Sequence, residues 1–112
     1  MKDHRRRQNV AKVSQLRMYR TVEGRLAEFV QQWLAGVLPL RRKMGFTVDG
    51  AWTVRGEDRF VWIVSYEGEE TFETKNEEYY ASSERKALDP NPADLIEESM
   101  ELIISPVWSG EG

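Results

Sequence analysis

From Val13 to Arg20 apolar and polar positions alternate, with Leu16 and Met18 on one face and Gln15, Arg17 and Tyr19 on the other. That is the period of a β-strand. After Glu23-Gly24 the period lengthens: Leu26, Phe29, Val30, Trp33, Leu34, Val37 and Leu38 recur at spacings of three and four, the stripe of an amphipathic helix. Pro39 lacks an N–H and should kink this helix or open a new turn. Arg41, Arg42 and Lys43 suit the negative end of its dipole, and Gly45 is a natural terminator.

Phe46 to Tyr66 reads as an antiparallel hairpin around the polar turn Arg55-Gly56-Glu57-Asp58-Arg59. Symmetric closure would pair Val54 with Phe60, Trp52 with Trp62, Gly50 with Val64 and Val48 with Tyr66, making one side heavily aromatic. A second helix is predicted from about Glu69 to Ala87, with Phe72, Asn76, Tyr79 or Tyr80, and Ser83 inward and glutamates outward. Asp89-Pro90-Asn91-Pro92 is a stiff connection, because each proline disfavours helix in the residue before it. A helical turn over Ala93 to Glu98 and a last strand over Met100 to Val107 complete the order, with Met100, Leu102 and Ile104 sharing a face.

Strand, helix, strand, strand, helix, strand with right-handed crossovers predicts a ferredoxin-like βαββαβ fold of the α+β class. Its four-stranded antiparallel sheet carries both helices on one face. The other face is expected to hold Val13, Ala51, Val61, Ile63 and Ile103 beside Arg17, Tyr19, Thr53 and Ser65. That surface is too apolar for water, so a homodimer with sheets face to face is predicted, with Arg17, Tyr19 and Ile63 in its seam. Arg17 is read there as an ion-pair partner of Asp49 or Glu101.

The 112 residues suit one domain, 40% apolar and 31% charged. The expected division is a basic, disordered tail over 1–12, the folded domain over 13–108 and a frayed end over 109–112. No apolar run reaches membrane-spanning length and no signal-peptide pattern opens the chain. Cysteine is absent, which removes disulfides and thiolate chemistry and fits a cytoplasmic protein. The net charge of −3 conceals an asymmetry: Lys2, Arg5, Arg6, Arg7 and Lys12 stand against Asp3 in the tail, leaving the rest acidic. With no basic patch interleaved with aromatics in the body, neither nucleic acid nor membrane is expected as a partner.

The strand VSQLRMY, the helix ending VLPL before GF, the strand GAWTV and the junction VWIVSYEGEETF together resemble the NIPSNAP family. That family belongs to the dimeric α+β barrel superfamily. The similarity runs from about Val13 to Trp108. It departs at Arg59-Phe60-Val61-Trp62, which lacks the histidine many members carry before the second tryptophan. Superfamily relatives include cofactor-independent quinone-forming monooxygenases and haem-degrading enzymes whose ligands lie between sheet and helices. The resemblance therefore implies a pocket lined by Trp52, Trp62 and Tyr66 from the sheet, joined by Trp33, Phe72, Asn76 and Tyr80 from the helices. A flat apolar or aromatic ligand would suit it.

Within that pocket Tyr66 and Asn76 are the catalytic candidates, and Trp52, Trp62, Tyr66, Asn76 and Tyr80 the ligand-binding ones. His4, the only histidine, lies in the tail, which disfavours a His-ligated haem, a zinc site or a Ser–His–acid triad. The Glu69–Glu78 cluster reads as a solvated helix face rather than a cation site. No cofactor and no metal is therefore expected. Three functions stay open: a homodimer binding a small apolar or aromatic molecule, a cofactor-independent monooxygenase or isomerase on an aromatic or polyketide-like substrate, and a non-catalytic protein-interaction dimer with a filled core.

Overall fold

The computed structural model describes residues 11–108, so most of the expected disordered tail, including His4, and the expected frayed end lie outside the described residues. In chain order the elements are β1 (Lys12–Thr21), α1 (Leu26–Gln32), a π-helical segment (Trp33–Val37), α2 (Leu38–Lys43), β2 (Thr47–Thr53), β3 (Arg59–Glu67), α3 (Phe72–Ala81), α4 (Ser83–Lys86), a 3₁₀ turn (Pro92–Leu95) and β4 (Ile96–Ile104). The sheet runs β2-β3-β1-β4 and is antiparallel throughout. This is the ferredoxin-like arrangement expected from the order of periods.

The first helical stripe is continuous but not uniform. The Leu38 N–H donates to the Trp33 carbonyl, five residues back, and Pro39 follows in the first turn of α2. A proline there cannot donate to the carbonyl four residues earlier, and the widened π turn just before it absorbs that missing bond. One consequence is a shift of the buried stripe. Trp33, Val37, Leu40 and Arg41 are buried, whereas Leu34 is exposed.

The second helix is shorter than the expected Glu69–Ala87 and is broken. Thr71 caps α3, its hydroxyl accepting from the Thr74 N–H at 3.0 Å. Ser82, extended in backbone, then donates to the Tyr79 carbonyl and accepts from the Arg85 N–H, ending α3 and starting α4. The last strand begins at Ile96, directly after the 3₁₀ turn, rather than at Met100.

The hairpin register corrects the symmetric expectation by one residue. The Val54 N–H donates to Arg59 O, and Glu57 N–H turns back to Val54 O, so the loop holds four residues rather than five. Trp52 consequently pairs with Val61, and Ala51 with Trp62. A one-residue slip moves every side chain to the other face, so Trp52 and Trp62 lie on opposite sides of the sheet. A bulge at Asp49 then restores the inward phase, bringing Val48 opposite Val64. Asp49 accepts from Ser65 Oγ at 2.6 Å and pairs with Lys12 at 3.1 Å.

The faces of β1 are also reversed relative to expectation. Arg17 pairs with Trp62 and Tyr19 with Phe60, and all four are buried on the side that the helices cover. The open face instead carries Leu16, Met18, Trp52, Val61 and Ile63, with Met100, Leu102 and Ile104 from β4. Val13, Ala51 and Ile103, expected on that open face, lie on the other. Arg17 and Tyr19 therefore lie on the helix-covered face and not on the open face expected for them, whereas Ile63 does stand on the open face. Arg17 finds Glu101, its cross-strand neighbour, at 3.6 Å, while Asp49 is taken by Lys12 and Ser65.

Candidate functional site

The helical layer meets the sheet through an aromatic core. Phe60 packs against Phe29 and Trp33 at 5.1 and 5.0 Å between ring centroids, and Trp33 meets Trp62 edge-on at 5.2 Å. Toward one end of the sheet this packing opens into a cavity of about 90 Å³. Every layer contributes to it: Tyr19 and Trp62 from the strands, Phe29, Trp33, Val37 and Arg41 from the first helical stretch, Tyr79 and Tyr80 from α3, and Arg85 from α4. Pro92, Ala93 and Ile96 close the remaining side, with the solvent-exposed Tyr80 and Ala93 at its rim.

Arg41 is the least expected member. It sits three residues beyond Leu38 and four beyond Val37, in phase with the apolar stripe, and is only 1% exposed. Its guanidinium carbon lies 3.8 Å from the ring centroid of Tyr79 and 4.6 Å from that of Phe46, two rings that are nearly perpendicular to each other. Among the described residues no carboxylate forms an ion pair with it. Burial lowers its pKa, the charge of Arg17 adding to the effect, although the neighbouring tyrosines oppose it.

The polar atoms of the wall share one character. Arg41 Nε and Nη1, Trp33 Nε1, Trp62 Nε1 and Arg85 Nε are all buried without an acceptor among the described residues. The Tyr79 hydroxyl is buried without a partner as well. Arg85 does donate once, from Nη1 to Asn91 Oδ1 at 3.2 Å. Burial pushes the Tyr19 and Tyr79 phenols up, keeping them neutral beside these cations. The site is therefore a small aromatic box lined with hydrogen-bond donors and carrying surplus positive charge. It can hold an anion, and it has no carboxylate or imidazole among its lining residues to act as a general base.

Of the five ligand-binding candidates read from the sequence, Trp62 and Tyr80 line this cavity. Trp52 does not; the register places it on the opposite face, 53% exposed. Tyr66 lines a separate, more open groove with Val13, Gly68, Phe72 and Ile103, flanked by Glu69, Glu70 and Glu73. Asn76 borders neither, one helical turn from Tyr80, and its buried Oδ1 has no donor among the described residues. Tyr66 and Asn76 are thus not brought together around one ligand. Arg41 and Arg85 line the cavity without any expectation from the sequence that they would, and Tyr79, an inward alternative to Tyr80, lines it as well. The phase of Arg41 within the stripe was the available signal, and a terminal basic run at a helix end masked it.

No group of acidic or histidine side chains among the described residues is placed to hold a metal ion. No helix there is long and apolar enough to cross a membrane.

The NIPSNAP family model matches residues 14–109 of the chain. Solved structures give the same picture at low identity. A NIPSNAP family protein of unknown function from Agrobacterium tumefaciens superposes with a TM-score of 0.75 at 15% identity, covering 85% of this chain and 87% of that one. An uncharacterised NIPSNAP domain protein from Burkholderia xenovorans gives 0.69 at 17% identity, over 85% and 94%. A candidate antibiotic biosynthesis monooxygenase from Nitrosomonas europaea gives 0.67 at 11% identity, over 88% and 93%, a likeness of fold alone. No curated protein matches the chain.

Proposed function

Because the chain belongs to the NIPSNAP family, in which fold is shared and chemistry must be argued from the site, we propose that it is a homodimeric small-molecule-binding domain. The ligand occupies the cavity between sheet and helices, and the sheets of two copies pack face to face. One observation carries the binding half: a cavity walled by aromatics whose buried N–H groups lack acceptors. A filled core evolved only for protein contact would satisfy such groups or replace them with apolar ones. This supports ligand binding over the purely structural dimer.

The dimer half is supported by the open sheet face, where Trp52, Met100 and Leu102 are each half exposed beside Met18 and Ile63. Contiguous apolar surface of that kind marks an interface. The lack of cysteine supports a cytoplasmic setting.

A second reading has its own observation. The donor-rich, aromatic wall would stabilise an enolate or phenolate, which supports a cofactor-independent oxygenase or isomerase acting on an aromatic substrate. The fold shared with the Nitrosomonas europaea protein is compatible with it.

Native mass spectrometry of gently desalted protein tests the first reading. A dimer carrying a discrete added mass is the expected result. A monomer would remove the sheet-face dimer, and a bare dimer that also fails to bind small aromatics in titration would remove the pocket. Oxygen uptake with anthrone-like or hydroquinone substrates tests the second reading, which falls if uptake matches the protein-free rate.

A further inference from the structure

Aromatic rings lie against the Arg41 guanidinium, but its buried N–H groups find no acceptor among the described residues. Tyr79 and Phe46 lie against the delocalised cation, while Nε and Nη1 keep their N–H bonds without acceptors among the described residues. The two tryptophan N–H groups and Arg85 Nε at the same cavity are in the same condition. Each unmatched buried donor is unfavourable, and an unmatched buried cation is more so. A wall in which buried N–H groups outnumber the phenol oxygens that could accept from them is complementary to an acceptor brought from outside.

We propose that the cavity receives the carboxylate of a planar ligand, with Arg41 as its anchor; this rests on the pocket reading above and names the ligand's class. Charge is the first argument. Arg17 is balanced by Glu101 at 3.6 Å, but Arg41 and Arg85 form no ion pair among the described residues. A neutral guest leaves that charge uncompensated, and a cation worsens it.

Shape is the second argument. The guanidinium fork matches a carboxylate edge to edge with two parallel hydrogen bonds. The ring walls of Trp33, Trp62 and Tyr79 favour a flat group over a tetrahedral phosphate. A phosphate site would also want clustered free backbone N–H groups, and the Ala93 N–H at this wall is already taken by Asn91 Oδ1 at 3.0 Å. Size is the third. A volume of about 90 Å³ is well below the roughly 150 Å³ of a cavity that holds benzene. The head group enters, and the body of the ligand lies at the rim against Tyr80.

The test is calorimetric titration of the full chain with benzoate, with benzamide as its neutral isostere, and with inorganic phosphate. Benzoate is expected to bind at least about tenfold more tightly than benzamide, the difference made by a charge-assisted pair. In Arg41→Met that preference should fall below about threefold, while Arg41→Lys, a charge without the fork, should restore only part of it. If Arg41→Met fails to fold, Arg85→Gln should still lower the preference by its loss of positive charge at the cavity wall. Equal affinity for benzoate and benzamide in the wild type would keep the pocket and overturn the anion site. Phosphate binding more tightly than benzoate would overturn the carboxylate assignment. Binding of neither acid nor amide would remove the anion site and the pocket together.

Discussion

The guanidinium of Arg41 lies 3.8 Å from the ring centroid of Tyr79, so α2 and α3, neighbours in the helical layer, are joined at the cavity by a buried cation on an aromatic ring. A desolvated contact of this kind contributes about 2 kcal/mol. Holding a cation with two unmatched nitrogens out of water is of the opposite sign and on the order of several kcal/mol.

The first prediction follows from that imbalance. Arg41→Met should leave the fold intact and raise its resistance to urea by about 1 kcal/mol or more, since the apolar side chain fills a similar volume without a charge. A residue retained at the expense of stability is the signature of a site. If urea unfolding shows Arg41→Met to be less stable than the wild type, the contact with Tyr79 and Phe46 is the reason for the arginine.

The two grooves can be separated by mutation. Tyr80→Ala removes the exposed ring at the rim of the donor-lined cavity and should weaken binding of an aromatic ligand by about tenfold. Tyr66→Phe alters only the neighbouring acidic groove and should leave affinity within about twofold. Quenching of the intrinsic tryptophan fluorescence reports both, because Trp33 and Trp62 line the cavity. The reverse ranking would return the site to the β3–α3 junction.

Association through the open sheet face has a sharp test. Ile63→Glu places a charge among Leu16, Val61 and Leu102, and should yield a 13.1 kDa monomer by sedimentation velocity at micromolar concentration. Gly50→Ala acts more gently. A Cβ there would stand 2.6 Å from the Trp52 ring, so that exposed side chain must swing away and disturb the face without unfolding the sheet. A persistent dimer in Ile63→Glu would move the interface elsewhere.

Alkaline pH should weaken the fold. Burial pushes the Tyr19 and Tyr79 phenols above their ordinary value of 10.0, with Arg17 and Arg41 respectively opposing the shift. In the unfolded chain both groups lose protons near pH 10, whereas the folded chain still holds them. The unfolded state then binds fewer protons, so this contribution is complete below pH 10 and is lost progressively as pH rises through the folded values. Tyr79→Phe removes one of the two titrations and should make the decline shallower. Urea midpoints from about pH 8 to about pH 11 would show it, and an unchanged slope would mean the phenols are not the cause.

Much of this architecture was legible because periods are local. Val13 to Arg20 alternates whatever surrounds it, and Leu26 to Leu38 forms a helical stripe from side-chain spacing alone. The break at Ser82 was less visible, because a serine in a polar helix signals a cap only when its hydroxyl finds the Arg85 N–H. Trp62 and Tyr80 line the cavity between sheet and helices, whereas a loop one residue shorter than symmetry suggests turns Trp52 to the other face. Arg41 fits the helix dipole as well as its neighbours Arg42 and Lys43 do, and composition offers no way to distinguish a basic residue at a solvated helix end from one turned inward.

The sequence by itself determined the order of elements, the antiparallel ferredoxin-like topology and the family, because strand and helix periods, turn residues and crossover handedness are properties of the chain. Tertiary structure alone decided which face of β1 meets the helices, the hairpin register and the burial of Arg41. Alternation states that Leu16 and Arg17 point opposite ways but not which way is in. Both rows of this sheet are apolar enough to be covered, so packing against Trp33, Tyr79 and Phe29 makes the choice. The donor-lined cavity is a product of that choice.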